Sequence, residues 1–279
     1  MRVAAGAVAV AALLATGCGG SSPPAGVATN PPPASGATHS GGSASSSSSA
    51  RTEAASGIRT VLAPLGINIR AQPATTAAVA ASAAQGTVLT VEGVSHTGGG
   101  WYKVKGETTE GWILSDPTLT SPRHLTLYQS QGRGLSALYP EGWTFNDTAG
   151  SPSVAFTPAS GSQSIVVTQG ANLDAIGPPG RAGYSLVESR SVEVFGVTGV
   201  LRRYNRTGAV PAASPGAPAQ LSHLIQIRLV IDPGRALRLE LNYDADTDAA
   251  VFSDFYNSVI FPPPQTPAPP GATPAPTPG

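Results

Sequence analysis

The sequence predicts a mainly β, multidomain protein, in which a small β-barrel precedes an α+β domain with an antiparallel sheet and a C-terminal helix. Three observations support this prediction. Short β-rich stretches recur between turn residues through most of the chain. One strongly patterned helical segment stands near its end. Low-complexity sequence at both termini marks the limits of the folded part.

Residues 57–120 are predicted to form the barrel. Their β-type stretches are separated by turn-prone sequence such as Gln72-Pro73 and Gly98-Gly99-Gly100. Five short strands within about 60 residues favour a closed barrel, because closure removes exposed strand edges. The predicted strands are residues 60–62, 67–70, 86–91, 101–104 and 111–114.

Four motifs in this region resemble those of the bacterial SH3-like domain. They are Leu-Gly-Ile-Asn-Ile-Arg at 65–70 before a turn with Pro73, Gly-Thr-Val-Leu-Thr-Val at 86–91, Gly-Trp-Tyr-Lys-Val at 100–104 and Gly-Trp-Ile at 111–113. Gln72, where the family commonly has glycine, and the ending at 115–119 depart from the family pattern. The resemblance implies an SH3-like barrel that acts as a non-catalytic binding module for peptidoglycan or other cell-envelope components.

The candidate ligand-binding residues are aromatic and polar side chains of these motifs: Asn68, Arg70, Trp101, Tyr102 and Trp112. Aromatic faces suit sugar rings and peptide side chains because they offer a large, rigid contact area. The alternative is structural. Trp112 and one of Trp101 and Tyr102 would then fill the barrel core, and Asn68 and Arg70 would hold a turn.

Residues 123–262 are predicted to form the α+β domain. Asp246-Thr247-Asp248 is expected to cap a helix with one apolar face, which comprises Val251, Phe252, Phe255, Tyr256 and Val259. An antiparallel sheet covered by this helix would bury that face. The predicted strands are residues 125–128, 135–139, 153–156, 164–169, 189–195, 198–205, 221–231 and 236–243.

Three elements of this region resemble the PsbP-like fold, which is named for a photosystem II extrinsic subunit and is found in many bacterial lipoproteins. They are Leu-Tyr-Pro-Glu-Gly-Trp at 138–143, the strand pair around Gly196, and the helix that runs into Asn-Ser-Val-Ile-Phe at 257–261. The resemblance implies a binding or accessory domain.

The N-terminus resembles the signal peptide and lipobox of bacterial lipoproteins. Residues 1–17 combine a charged start, a short apolar stretch and small residues before Cys18, which is the single cysteine of the chain. The resemblance implies that Cys18 is lipidated and holds the protein in the cell membrane, facing the extracytoplasmic side. Ala15 stands where the family usually has leucine. A cleaved secreted protein and an uncleaved membrane anchor are the alternatives.

Two low-complexity segments flank the predicted domains. Residues 18–56 are rich in Ser, Gly, Pro and Ala, cannot bury a core, and are predicted to form a disordered tether. Residues 263–279 are rich in proline and are predicted to form a disordered tail that favours polyproline II conformations. Such a tail is either a ligand for an aromatic groove or a solvated end.

The charge balance and the motifs that the sequence lacks argue against several classes of function. The chain has 16 basic and 16 acidic side chains and no basic stripe, so no nucleic-acid partner is expected. It has no Gly-x-Ser-x-Gly elbow and no phosphate-binding glycine loop, so we expect no enzyme activity and no cofactor. The acidic run at 244–248 lacks the later glycine and glutamate of a calcium loop, so no metal site is predicted.

The sequence therefore predicts an envelope lipoprotein with a non-catalytic binding or scaffolding role. Its expected partners are the lipid bilayer, through Cys18, and peptidoglycan or an envelope protein. The alternative is an accessory or inhibitor subunit that binds a protein partner through the C-terminal domain.

Overall fold

The computed structural model describes residues 52–161, 163–208 and 221–261. The predicted signal peptide, Cys18, residues 18–51 of the tether and the tail lie outside the described residues. The barrel and the C-terminal domain belong to one compact unit. No helix in the described part of the chain is long and apolar enough to cross a membrane.

The barrel region forms a seven-stranded antiparallel sheet in the order β3-β2-β6-β5-β4-β1-β7. Each of the five predicted strands overlaps an observed one, whereas β3 and β7 were not predicted. The strands are β1 (Thr52–Val61), β2 (Ile67–Arg70), β3 (Val79–Ala83), β4 (Val88–Ser95), β5 (Trp101–Lys105), β6 (Glu110–Leu114) and β7 (Thr120–Ser121).

Strand β1 begins inside the segment that was predicted to be tether. Residues 52–56 belong to the strand, so the predicted boundary at residue 56 is wrong. Thr52 pairs with Ser95 and Ala54 with Gly93 of β4. Strand pairing uses backbone groups, so a run of mostly small residues can join the sheet, and of this run only Ala55 packs against the barrel core.

The barrel core depends on close approach at Gly111. Ile69, Val104 and Ile113 are buried beside it, with Leu89 and Val91 from β4. A Cβ atom at Gly111 would lie 2.6 Å from Ile69 Cγ2 and 2.7 Å from the backbone oxygen of Arg70. Strands β2 and β6 can therefore meet here only because residue 111 has no side chain.

The C-terminal domain has a second seven-stranded antiparallel sheet, in the order β10-β11-β12-β16-β15-β14-β13, and a separate hairpin of β8 and β9. Strand β10 was not predicted, and β13 begins five residues before its predicted start. The strands are β8 (Leu125–Ser130), β9 (Leu135–Pro140), β10 (Trp143–Asn146), β11 (Ser153–Pro158), β12 (Ser164–Gly170), β13 (Tyr184–Val194), β14 (Val197–Arg206), β15 (His223–Asp232) and β16 (Arg235–Tyr243).

The helix α1 (Asp246–Asn257) covers one face of this sheet. Val251, Phe252 and Phe255 of the predicted apolar face are buried and Tyr256 is half-buried, whereas Val259 is buried but lies beyond the end of the helix. Phe156 lies between the layers, with its ring centroid 5.2 Å from Phe255 of the helix and 5.1 Å from Tyr128 of the β8–β9 hairpin. The N-cap is Ala245, one residue before the predicted cap, and the backbone N–H of Asp248 donates to its carbonyl.

The opposite face of the sheet is polar and is covered by the loop between β12 and β13. Glu240, which is 2% exposed, accepts hydrogen bonds from Arg181 of this loop and from Gln226 of β15. Gln226 in turn accepts from the backbone N–H of Gly180 at 2.7 Å. Arg228 donates to the backbone oxygen of Gly177 at 2.6 Å. These bonds satisfy buried polar groups that would otherwise destabilise the sheet.

The barrel and the C-terminal domain are joined through buried hydrogen bonds. Asp254 of α1 accepts from the Ser121 hydroxyl and from Arg123 Nη1, each at 2.7 Å. Gln85 of the barrel donates from one amide nitrogen to the backbone oxygens of Leu62 and Ser258. The two domains therefore share one network at the C-terminal half of the helix.

Gly111→Ala should destabilise the barrel by about 1–3 kcal/mol, because the new methyl group meets backbone and a buried side chain. Chemical denaturation would measure the loss. Gly132→Ala is the matched control, since nothing lies within 4 Å of its Cβ position. Equal stability of the two variants would contradict the close approach described for β2 and β6.

Burial raises the pKa of the Asp254 carboxyl above its ordinary value, against the opposing effects of Ser121 and Arg123. The folded state therefore holds this proton more tightly than the unfolded chain, whose aspartate pKa is about 3.9. The resulting stabilisation is present below that value and is lost as the pH rises through the folded pKa. The free energy of unfolding of the wild type minus that of Asp254→Asn should thus fall as the pH rises through this window. A difference that rises with pH would contradict a raised pKa of Asp254 in the folded state.

Candidate functional site

The structure places four of the five candidate residues on the outer face of the barrel sheet. Ile69 points into the core, so its neighbours Asn68 and Arg70 point outward. Arg70 pairs directly with Trp112, and Trp112 pairs with Lys103, so these three side chains stand in one row across β2, β6 and β5. We call this the outer row. Trp101 lies on the same face as Lys103, two residues away along β5.

The exposure of these residues differs sharply. Asn68 is exposed and Arg70 is half-buried, with its Nη1 donating to the backbone oxygen of Ala77 at 2.7 Å. Trp101 is 2% exposed and Trp112 is 9% exposed. A ligand on this face would therefore meet Asn68 and Arg70 rather than the two buried tryptophans.

Tyr102 points to the other face of the sheet and packs partly against the barrel core. Its hydroxyl accepts a hydrogen bond from Arg59 Nη2 at 2.7 Å, and the Arg59 guanidinium carbon lies 4.2 Å from the ring centroid. The arginine therefore occupies one face of the ring. The structure does not bring Tyr102 together with the other four candidates.

The outer row ends in an ion-pair cluster. Lys103 Nζ lies 2.5 Å from Glu110 and 3.6 Å from Glu92. The hydrogen bond with Glu110 raises the pKa of Lys103, and the same bond lowers the pKa of the Glu110 carboxyl. Lys103 is thus neutralised by its neighbours, and Arg70 is the cation of the row that faces no carboxylate among the described residues.

A groove of about 480 Å³ lies where the barrel meets the C-terminal domain. Residues 63–65 of the barrel form one wall, the β13–β14 turn forms another, and Tyr256 and Asn257 at the end of α1 form the third. Leu65 is 93% exposed and Phe195 is 39% exposed. Sequence reasoning missed this groove because its walls come from three distant segments.

The β13–β14 turn is strained at Phe195. Val194 pairs with Val197, which leaves a two-residue connection of Phe195 and Gly196 with φ angles of 48° and 75°. Such turns favour Asn-Gly or Gly-Gly, because both central residues need positive φ. A phenylalanine there costs about 1–3 kcal/mol. The sequence signal for this turn was the pair Phe195-Gly196 between two β-type stretches.

A second groove, of about 590 Å³, is lined by a polar clamp. Arg133 donates from Nε and Nη2 to Asp147 Oδ1, and Tyr128 donates to Asp147 Oδ2 at 2.6 Å. The bond with Arg133 lowers the pKa of Asp147, while burial raises the pKa of Tyr128. These groups connect the β8–β9 hairpin to the β10–β11 loop and have a structural role.

The described residues offer no group of three or more His, Cys, Asp or Glu side chains that could hold a metal ion. In the acidic run at 244–248, Asp244 Oδ1 accepts from the backbone N–H of Ser222 at 2.7 Å. This bond anchors the start of β15.

Comparisons with known proteins agree with the barrel geometry. Residues 65–116 match the family model described as the bacterial SH3 domain. The chain is also similar to the solution structure of cyanobacterial PsbP from Synechocystis sp. PCC 6803, at 16% identity and a TM-score of 0.36, over 49% of this chain and 92% of that one. Comparison with curated proteins finds no match. The resemblance stated from the motifs is confirmed, and the chain contains a bacterial SH3 domain at residues 65–116.

Proposed function

We propose that this chain is a membrane-anchored envelope lipoprotein whose SH3 domain binds peptidoglycan and whose role is non-catalytic. The family match carries the proposal, since SH3 domains of this bacterial kind commonly bind peptidoglycan. The outer row and Asn68 support it, because Asn68 is exposed and Arg70 is half-buried on the same face of the sheet, with Arg70 beside Trp112. Arg70 would donate to carboxylate or carbonyl groups of the wall peptide.

The anchoring part of the proposal is supported by the sequence around Cys18. A charged start, an apolar stretch and small residues precede this single cysteine. One acyl chain gives marginal membrane attachment, whereas several give stable attachment. The residues between Cys18 and Thr52 then provide a spacer between the bilayer and the SH3 domain.

A second function is favoured by one observation on the C-terminal domain. Strand β13 is the edge of its sheet, and Leu186 and Val187 on it are 53% and 52% exposed. An open edge with apolar side chains suits a protein partner that adds a strand. On this alternative, the chain is an accessory or inhibitor subunit and the barrel is a spacer.

Arg70→Ala should weaken retention of the full chain on purified peptidoglycan by about tenfold, because a charge-assisted hydrogen bond is worth about 1.5–3 kcal/mol. Arg59→Ala is the matched control, since Arg59 packs on Tyr102 at the other face of the sheet. Co-sedimentation at several salt concentrations measures both. Equal retention of Arg70→Ala and wild type would argue against the outer row, and no retention of the wild type would favour the accessory-subunit alternative.

Cys18→Ala should release the protein from the membrane fraction and abolish incorporation of a labelled fatty acid, because the anchor chains would have no attachment point. Fractionation and metabolic labelling give independent readouts. If the variant stays with the membrane without label, the hydrophobic N-terminal segment is itself the anchor.

A further inference from the structure

The groove between the barrel and the C-terminal domain leads to an inference about the end of the chain. We propose that this groove binds the protein's own proline-rich tail, residues 262–279, in a polyproline II conformation. The docked tail would contact Leu65 of the barrel together with Phe195 and Tyr256 of the C-terminal domain. It would therefore connect the two domains on the surface, next to their buried junction.

The chemistry of the groove matches that of the tail. Half of residues 262–279 are proline and none carries a charged side chain. The groove presents Pro64, Leu65, Phe195 and Tyr256, and its lining also includes the Asn257 amide and the Glu193 carboxylate. Proline-rich segments dock in aromatic-lined grooves because they are already extended and lose little conformational entropy on binding. The Tyr256 hydroxyl and the Asn257 amide can donate to proline carbonyls, which lack partners within their own helix.

The strained turn at Phe195 supports a binding role for this wall. A phenylalanine at φ 48° is unfavourable where Asn or Gly would be relaxed, yet the turn holds its ring 39% exposed at the groove. Leu65, opposite, is 93% exposed. Two large apolar side chains that face one groove from separate domains are stabilised when a ligand covers both.

Among the segments outside the described residues, the tail is the one that begins next to the groove. Phe261 is the last described residue, and its ring centroid lies 6.5 Å from that of Phe195. The tail therefore starts at the groove wall. Residues 262–264 are all proline and span about 9 Å in polyproline II geometry.

The two other long segments outside the described residues start far from the groove. The N-terminal segment joins β1 at Thr52, which is nine residues and about 30 Å along the strand from Val61. Residues 209–220 follow the end of β14 that lies opposite the Phe195 turn, also about 30 Å away.

A spin label on the tail tests the contact directly. Cys18 is the only cysteine, so Cys18→Ser with Gln265→Cys leaves a single labelling position in the full chain. We expect the label to broaden the NMR signal of Leu65, on the far wall of the groove. Gly196 and Asn257 lie near the start of the tail and would be broadened whether or not the tail is docked. Signals of Leu186, eight residues along β13 from Val194 and about 26 Å away, provide the internal control.

Two substitutions in the labelled chain separate docking from folding. Phe195→Asn should fold at least as well as the parent, because asparagine tolerates positive φ, and should lose most of the broadening. Leu65→Ser should also lose most of the broadening, and the thermal midpoint should stay unchanged because the Leu65 side chain is exposed. Leu186→Ser, a substitution of an equally apolar exposed residue outside the groove, should keep the broadening.

In a chain that ends at Phe261, the groove residues should give NMR signals at shifted positions. Adding the peptide of residues 262–279 should return these signals to their positions in the full chain, but only at millimolar peptide concentration. In the intact chain the covalent link supplies a high effective concentration of the tail, which the free peptide lacks. Absence of broadening at Leu65 in the full chain would overturn the proposal. Broadening transferred to an isotope-labelled chain from a separate spin-labelled chain would also overturn it, because the tail would then occupy a second copy.

Discussion

The arrangement of the two domains depends on one buried carboxylate, Asp254 of α1. Its side chain is 8% exposed and accepts two hydrogen bonds, from Ser121 and Arg123, in the segment that joins the barrel to the C-terminal domain, residues 121–124, which we call the linker. Burial of a charge is costly, and the partners offset that cost only when the geometry is kept. The linker also pairs with the barrel, since Ser121 stands opposite Thr60 in the β1–β7 ladder. Barrel strand, linker and helix thus form one continuous hydrogen-bonded connection.

This connection lies next to two of the three walls of the groove. Residues 63–65 follow β1 after Leu62, and Tyr256 lies two residues after Asp254 on the helix. The hydrogen bonds between the domains therefore hold these two walls, which belong to different domains, close to each other. Gln85 adds a second connection, from the barrel to the carbonyl of Ser258 at the helix end.

Much of the strand pattern could be predicted because apolar and polar residues alternate along strands such as β16. In β16, Leu239 and Leu241 face the helix, and this alternation is visible in the sequence. Strand β3 was missed because its residues are small and supply little hydrophobic signal. The helix position was right, yet its cap was displaced by one residue, because a backbone bond to Ala245 closes the first turn.

The candidate site was predicted only in part. The motifs identified Asn68, Arg70 and the aromatic residues. The face of the sheet to which each side chain points depends on the strand register, and the sequence of short strands with bulges does not reveal that register. Tyr102 consequently faces away from the outer row, and the two tryptophans are buried. Arg59 lies 43 positions from Tyr102, so no local pattern could have linked them.

The sequence by itself determined the order of the segments, the SH3 motifs, most strands and the helix, because these depend on local periodicity and turn residues. Only the tertiary structure decided which polar residues are buried. Glu240 and Asp254 look like surface carboxylates in the sequence, yet one holds a loop on the sheet and the other joins two domains. The groove between the domains was likewise decided by the tertiary structure, since long-range packing alone brings its three walls together.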